Sequence, residues 1–446
     1  MPRKTINFGT MSIPIIFGRL FFPTLLGMLS VATLIVAEGI FVGRGVGSDG
    51  LAAINIASPL FMITTGIALM FGIGSSIVAS IHLSHDNIKA ARINLTQAVI
   101  VASLIMLLIS ALVLGFREQV AYMFGSSDKL LPMVLVYIEW LTPFLIFNMI
   151  MSMGLFIIRL DGSPVYAMLC NVIPAILNLV LCWLFVIKFD WGIKGAAMAT
   201  SIGVTFGGAM VIIYSVFFSS KLQLHKLKFN RSFLWKSFRD VVYMAKLGSS
   251  AFMGEMAITA MVLIGNYVFI YALGEDGVAA FSVACYCFPV IYMLGNAVAQ
   301  SAQPIISYNY GAGDMARVKK TVGISIGTAL FCGFGAMAGS ILFCKPLVAL
   351  FLDPTGNAYQ IATQGIPYFS IGYLFFAFNM AAVGYYQSIE KAKLANIYTL
   401  FRGFIFMIIC FLTLPQLFHV TGIWLAVPFS EMLTAFLIVG WYLKKK

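Results

Sequence analysis

The sequence predicts an all-α polytopic membrane protein of twelve transmembrane helices, built as two six-helix parallel repeats that form two lobes around a central cleft. Three observations carry that expectation. The chain is 61% hydrophobic and only 10% charged over 446 residues, whereas a soluble domain carries about 25% charged residues. Apolar runs recur at the length of about 20 residues that crosses a hydrocarbon core of about 30 Å. The second half of the chain repeats the first.

Arg3 and Lys4 precede an apolar run from Ser12 to beyond Leu34. That run is longer than a signal-peptide core of about 7–15 residues, so it reads as a first span. Apolar runs between charged or Gly/Pro breaks then place spans at 12–42, 51–81, 94–115, 131–158, 165–187 and 196–218. The second half gives 247–271, 278–308, 321–343, 360–387, 395–415 and 422–442. The expected organisation is an N-lobe at 1–218, a basic cytoplasmic linker at 219–246 and a C-lobe at 247–446.

Orientation follows from charge. With a cytoplasmic N-terminus, inside segments collect 20 of the 28 basic residues, seven of them between Lys221 and Lys246. Only Arg44, Arg117, Lys129, Lys188, Lys194 and Lys345 fall outside. This satisfies the positive-inside rule, predicts that both termini are cytoplasmic, and makes the net +12 a topological signal rather than a nucleic-acid footprint. Phe229, Phe233, Leu234 and Trp235 among the linker's basic residues suit a surface-lying segment. The seven cysteines, mostly within apolar runs and without metal spacing, read as buried free thiols.

The repeat is legible residue by residue. Gly47, Asp49, Gly50, Ala52 and Ala53 match Gly274, Asp276, Gly277, Ala279 and Ala280 at an offset of 227. Asp86, Lys89 and Arg92 match Asp314, Arg317 and Lys320, and Asn148 matches Asn379. Gly192, Ile193, Ala196 and Thr200 match Gly422, Ile423, Ala426 and Ser430. Six spans per unit make the repeats parallel, a design that sets substrate sites near mid-membrane. No GxxxxGK[ST] phosphate loop occurs, so transport would draw on an ion gradient. The histidine pair His82/His85 has no third ligand nearby, and no catalytic constellation is seen, so neither a metal site nor an enzyme is expected.

Ionisable residues inside spans are costly and hence functional candidates. Six qualify: Arg19, Glu38, Glu139, Glu255, Arg402 and Glu431. Arg19 can snorkel, Glu139 sits near the outer end of its span, and Arg402 can pair with Glu431 on the next helix. Glu38 and Glu255 stand apart because their repeat mates are Gly265 and Met28. An embedded carboxyl of this kind can alternate between holding a proton and holding a cation. Neutral polar side chains accompany them, with Asn148, Asn266, Gln300 and Asn379 as possible cleft residues. Pro23, Pro174, Pro289 and Pro304 are expected to bend their spans.

The segments EGIFVGRGVGSDGLAA, RLDGSPVYAM, AILNLVLCWLF with GIKGAAMAT, and AQPIISYNYGAGDMARVKK resemble MATE multidrug and toxic-compound extrusion transporters, and the resemblance covers essentially the whole chain. It is nearest the bacterial DinF-like and MepA-like branches. It implies proton- or sodium-coupled export of amphipathic, often cationic, organic compounds across the inner membrane by a monomer, without a cofactor. It also implies that Glu38 takes part in cation coupling with Asn178, Cys182 and Thr200, and that Glu255 is a second candidate acid. The family frequently carries a second aspartate where this chain has Cys182. The loss of that hard oxygen ligand favours a proton over sodium as coupling ion. Two alternatives are a lipid-linked precursor flippase, for which the spans offer few arginines or lysines, and an exporter of one endogenous metabolite.

Overall fold

A computed structural model describes residues 6–225, 227 and 231–444, without the side chains of residues 48 and 231–234. Arg3, Lys4, Lys226, Lys228, Phe229, Lys445 and Lys446 lie outside the described residues, as do the side chains of Phe233 and Leu234. Among the described residues the secondary structure is helical, joined by short turns and by the non-helical stretch 219–225, with no strand. In order, the first half contains α1 (Ile13–Gly45), α2 (Ser48–Ser84), α3 (Ile88–Gly115), α4 (Arg117–Met123), α5 (Leu131–Leu141), α6 (Leu145–Leu160), α7 (Pro164–Cys182) and α8 (Gly192–Ile213). The second contains α9 (Arg231–Gly311), α10 (Met315–Leu342), α11 (Cys344–Ala349), α12 (Asn357–Ser370), α13 (Gly372–Ser388), α14 (Ala392–Leu400) and α15 (Phe406–Lys444).

Ten continuous helical segments are long and apolar enough to cross a membrane. Two of them are interrupted by a non-helical residue, Gly274 in α9 and His419 in α15, so division there gives twelve segments. Both interruptions stand at expected inter-span turns. The prolines inside spans do not end their helices: α1 continues through Pro23, α7 through Pro174 and α9 through Pro289 and Pro304. Irregularity appears instead as π-helical turns at Trp183–Lys188, Tyr214–Phe218 and Phe401–Ile405. The latter part of the 219–246 segment is helical, since α9 begins at Arg231.

The repeat is written into the turns. Gly47 and Gly274 both take positive φ, as do Asp86 and Gly313, Gly162 and Glu390, and Asp190 and His419, at offsets of 227 to 229 residues. These are left-handed positions that glycine, asparagine and aspartate tolerate best. One match shifts by a residue. Asn87 caps α3 by accepting from the Ala90 amide at 3.1 Å, and Asp314 caps α10 by accepting from the Arg317 amide at 3.0 Å. Asn87, not Asp86, is therefore the counterpart of Asp314, because asparagine and aspartate do the same capping work.

Residues 1–252 with 307–313 form one compact unit, and residues 253–306 with 314–446 form the other. In the first unit α1 runs along α7, α2 packs on α3 and α6, and α8 packs on α5, α6 and α7. In the second, α13 lies between α10 and α15. Each has its own apolar core, around Ala98, Tyr137, Met149 and Ala196 in the first and around Phe281, Phe369, Phe376 and Trp424 in the second. Small and polar residues such as Thr64, Ser75, Ser76 and Ser80 are buried while Leu104, Leu108, Phe22 and Leu112 are exposed, the pattern of helices solvated by lipid and packed through small side chains.

Close approach depends on glycine at a few points. A Cβ on Gly74 would strike the Met244 carbonyl oxygen, and one on Gly248 would strike that of Met70. These reciprocal contacts fix α2 against the first turns of α9 in the first unit.

Candidate functional site

The first unit gathers its polar groups where α1, α7 and α8 meet. Glu38 stands half-buried near the C-terminal end of α1. Asn178 and Cys182, one turn apart on α7, are buried, and so is Thr200 on α8. The helices reach one another because α8 is narrow here: Gly195, Ala196, Ala197, Ala199 and Gly203 surround Thr200. A Cβ on Gly203 would lie 3.1 Å from that of Asn178, so no larger residue fits without moving α7. The π turn that follows Cys182 widens the backbone beside this cluster, a distortion often found at functional sites.

The Thr200 hydroxyl donates to Glu38 Oε1 at 2.8 Å and has the Ala196 carbonyl as a second acceptor at 3.1 Å. The Asn178 amide nitrogen donates to Thr200 Oγ1 at 3.4 Å. Thr200 has only one proton to give, so Glu38 and Ala196 compete for it. Asn178 Oδ1 is buried and accepts from no donor among the described residues. Oxygen acceptors therefore exceed hydrogen-bond donors, and a proton on Glu38 or a cation among Glu38, Asn178 and Thr200 would correct the imbalance. Tyr137 on α5, fully buried, brings its hydroxyl to Thr200 and lies within electrostatic reach of Glu38 and Cys182. The sequence reading did not select Tyr137. Its only signal was a phenol among apolar residues, with no spacing that ties α5 to α8.

Two of the acids expected inside spans, Glu255 and Glu431, sit in the second unit. Glu255 on α9 is half-buried and accepts from the Tyr292 hydroxyl at 2.6 Å. Glu431 on α15 pairs with Arg402 at 3.3 Å and accepts from the Asn379 amide at 2.7 Å. Asn148 is buried on α6, Asn266 half-buried and Gln300 buried on α9, and neither asparagine is joined to Glu38 or Glu255. Arg19 is exposed, and Glu139 forms an ion pair with Arg117 at the surface. Among the described residues, no group of three or more His, Cys, Asp or Glu forms a metal-holding cluster, and the cysteines are free.

Asp161, at the end of α6, is another residue that sequence reasoning passed over. It is buried and accepts from the Tyr214 hydroxyl at 2.7 Å, the Ser220 amide and hydroxyl, and the Lys221 and Leu222 amides. The linker is further held by Arg92, which donates to the Lys221 carbonyl at 2.8 Å, and by the His225 amide on Thr96.

Comparison with known proteins gives a consistent result. The family model described as MatE matches residues 23–184 and 251–412, one copy in each half. The multidrug export protein MepA of Staphylococcus saprophyticus is 23% identical over 426 residues, covering 93% of this chain and 90% of that protein. An outward-facing multidrug resistance MATE family transporter of the MOP superfamily superposes with a TM-score of 0.88 at 19% identity, over 99% of each chain. A MOP superfamily transporter from Pyrococcus furiosus Vc1, in which reversed polarity of the binding pocket suggests a different function, gives a TM-score of 0.89 at 20% identity, over 98% of this chain and 97% of that one.

Proposed function

Because the chain belongs to the MatE family, whose members are transporters rather than enzymes, we propose that it is a secondary active antiporter exporting amphipathic, often cationic, organic compounds. The single observation that carries the coupling mechanism is the acceptor-rich cluster in which Glu38 takes the only hydroxyl proton of Thr200 beside the unpaired Asn178 Oδ1. A site short of donors binds a proton or small cation, and an acid without a permanent cationic partner releases it again.

The cycle follows from that chemistry. In the outward-facing state Glu38 takes up a proton, its bond to Thr200 is rearranged, α1 repacks along α7 and α8, and substrate leaves. Deprotonation toward the cytoplasm restores the starting arrangement. Proton and substrate oppose each other because each favours a different state, which is the whole content of coupling. The proton is preferred to sodium because Cys182 supplies sulfur where a second carboxylate would give a hard ligand.

Methionine and aromatic side chains would contact the substrate, since both adapt to varied shapes and aromatic faces attract organic cations. MepA's export of multiple drugs supports a broad substrate range. We place it as a monomer in the inner membrane, and the charge distribution supports an orientation with both termini cytoplasmic. The test is export of a fluorescent cationic dye from proteoliposomes under separately imposed proton and sodium gradients. A proton gradient alone should drive it, and equal export without any gradient would overturn antiport.

A further inference from the structure

The second unit buries an ion pair that the antiport reading does not use. Arg402 and Glu431 side chains are 5% and 7% exposed, with Arg402 Nε 3.3 Å from Glu431 Oε1. Neither charge has a repeat mate: at the offsets of 231 and 230 set by the flanking matches Arg402 falls on Asn171 or Val172, and the residue after Thr200, the mate of Ser430, is Ser201. The pair was added to one unit only. Taking both charges out of water is costly, and a pair of well-packed apolar residues often serves stability as well.

The pair is held by charge rather than by a hydrogen bond at Nε, since Arg402 Nε is buried and has no hydrogen-bond partner among the described residues. Glu431 Oε2 accepts from Asn379 Nδ2 at 2.7 Å, and the same amide donates to the Glu431 carbonyl at 2.8 Å. Asn379 is fully buried, yet its Oδ1 accepts from no donor among the described residues. Asn379 thus holds the Glu431 carboxylate through its amide nitrogen. Here the guanidinium is already present. It lies over the Phe376 ring, 4.5 Å from its centroid, and its backbone is held by Ser430, whose hydroxyl donates to the Arg402 carbonyl at 2.7 Å.

Arg402 is also positioned by the backbone. It belongs to the π turn Phe401–Ile405, and a Cβ on Gly403 would collide with that of Ala257 on α9. The turn therefore lies flush on the helix that carries Glu255. Tyr292, bonded to Glu255, is within reach of the Arg402 charge, so Tyr292 and Glu431 are the ionisable groups this guanidinium faces.

We propose that the Glu431 carboxylate and the Phe376 face form a monovalent-cation site permanently filled by the tethered guanidinium of Arg402, with Asn379 positioning the carboxylate, so that the second unit exchanges no ion there and truncation of Arg402 opens the site to a free cation. The guanidinium ion itself is the ligand of choice, because the Phe376 face and the Glu431 carboxylate already fit that shape and charge.

The test compares purified full-length Arg402→Ala with wild type by thermal unfolding in detergent, with low millimolar guanidinium chloride, urea or sodium chloride added. Guanidinium should restore most of the lost Tm, and urea, its neutral counterpart in shape, none. The effect should vanish in Arg402→Ala/Glu431→Gln. Equal responses to guanidinium and urea, or rescue that survives loss of Glu431, would overturn the proposal. A second arm uses Arg402→Met/Glu431→Gln, which removes both charges. The number of ions exchanged per dye molecule should equal that of wild type, and a changed number, or failure of this neutral variant to accumulate, would also overturn it. The thermal arm reads no transport, so it fails or succeeds apart from the antiport reading on which the second arm rests.

Discussion

Thr200 gives its one hydroxyl proton to Glu38 across 2.8 Å, and by doing so ties α8 to α1. The same oxygen receives the Asn178 amide from α7. Three helices of one unit therefore meet on a single hydroxyl, and its proton has a second possible destination at the Ala196 carbonyl, 3.1 Å away. In the proposed antiport cycle, protonation of Glu38 weakens its hold on that proton and so loosens α1 from α8.

Glu38→Gln should uncouple transport while leaving substrate binding intact. Glutamine keeps the shape and an acceptor for Thr200 but cannot release a proton. Gradient-driven dye export in proteoliposomes should fall at least about tenfold, or roughly 1.4 kcal/mol in driving terms, with dye affinity changed little. Retention of full gradient-driven export would remove Glu38 from the mechanism.

Thr200→Ala should weaken coupling less severely. Hydrogen bonds between membrane helices average about 0.6 kcal/mol and reach about 1.7, which corresponds to a roughly three- to twentyfold change. Thr200→Ser keeps the hydroxyl and should stay near wild type. Equal loss in the alanine and serine variants would show that the methyl group matters and the bond does not.

Cys182→Asp should turn the site toward sodium. The thiol is buried one turn from Asn178, and an aspartate there would add a carboxylate to Glu38, Asn178 Oδ1 and Thr200 Oγ1. Two acids without a cation repel each other, so the variant should be less stable in sodium-free buffer and regain Tm as sodium is added. Ligand at a hundredfold excess over its Kd stabilises by about 2.7 kcal/mol, a shift that thermal unfolding resolves easily. A sodium response no larger than that of wild type would mean the oxygens do not converge on an ion.

Much of this was readable from residues alone, and the reasons differ by feature. Gly47 and Gly274 were matched by sequence because a turn with positive φ needs glycine, and both take it. Arg402 and Glu431 were recognised as a possible pair because buried charges need partners. Tyr137 and Asp161 escaped for opposite reasons. A phenol on α5 becomes informative only when packing brings it to Thr200, and an aspartate before a glycine looks like an ordinary turn residue until the linker amides are seen converging on it. The start of α9 was also missed, since a basic stretch with scattered aromatics has no helical period strong enough to mark it.

Gly74→Ala and Gly248→Ala should each destabilise the first unit. Either Cβ would meet a main-chain carbonyl, of Met244 or of Met70, and a backbone oxygen cannot rotate aside as a side chain can. Overpacking of this kind costs about 1–3 kcal/mol. Gly327→Ala on α10 is the control, for its Cβ would have nothing within 4 Å, and alanine is the better helix former. Thermal unfolding should therefore show a lower Tm for the first two variants and an equal or higher one for the third.

Asp161→Ala should release the linker from the first unit. The carboxylate holds the amides of Ser220, Lys221 and Leu222 together with the Ser220 and Tyr214 hydroxyls, and a hydrogen bond to a charged group contributes about 1.5–3 kcal/mol. Loss of even one such increment raises the open population about tenfold or more, and proteolysis follows that population when reclosing is fast. Trypsin should therefore cut within residues 221–246 at least about tenfold faster in the variant. Tyr214→Phe removes one bond of the five and should accelerate cleavage much less. Equal rates for wild type and Asp161→Ala would mean that Arg92 on the Lys221 carbonyl and Thr96 on the His225 amide suffice to hold the segment. The cleavage ratio therefore separates a linker held by Asp161 from one held by Arg92 and Thr96.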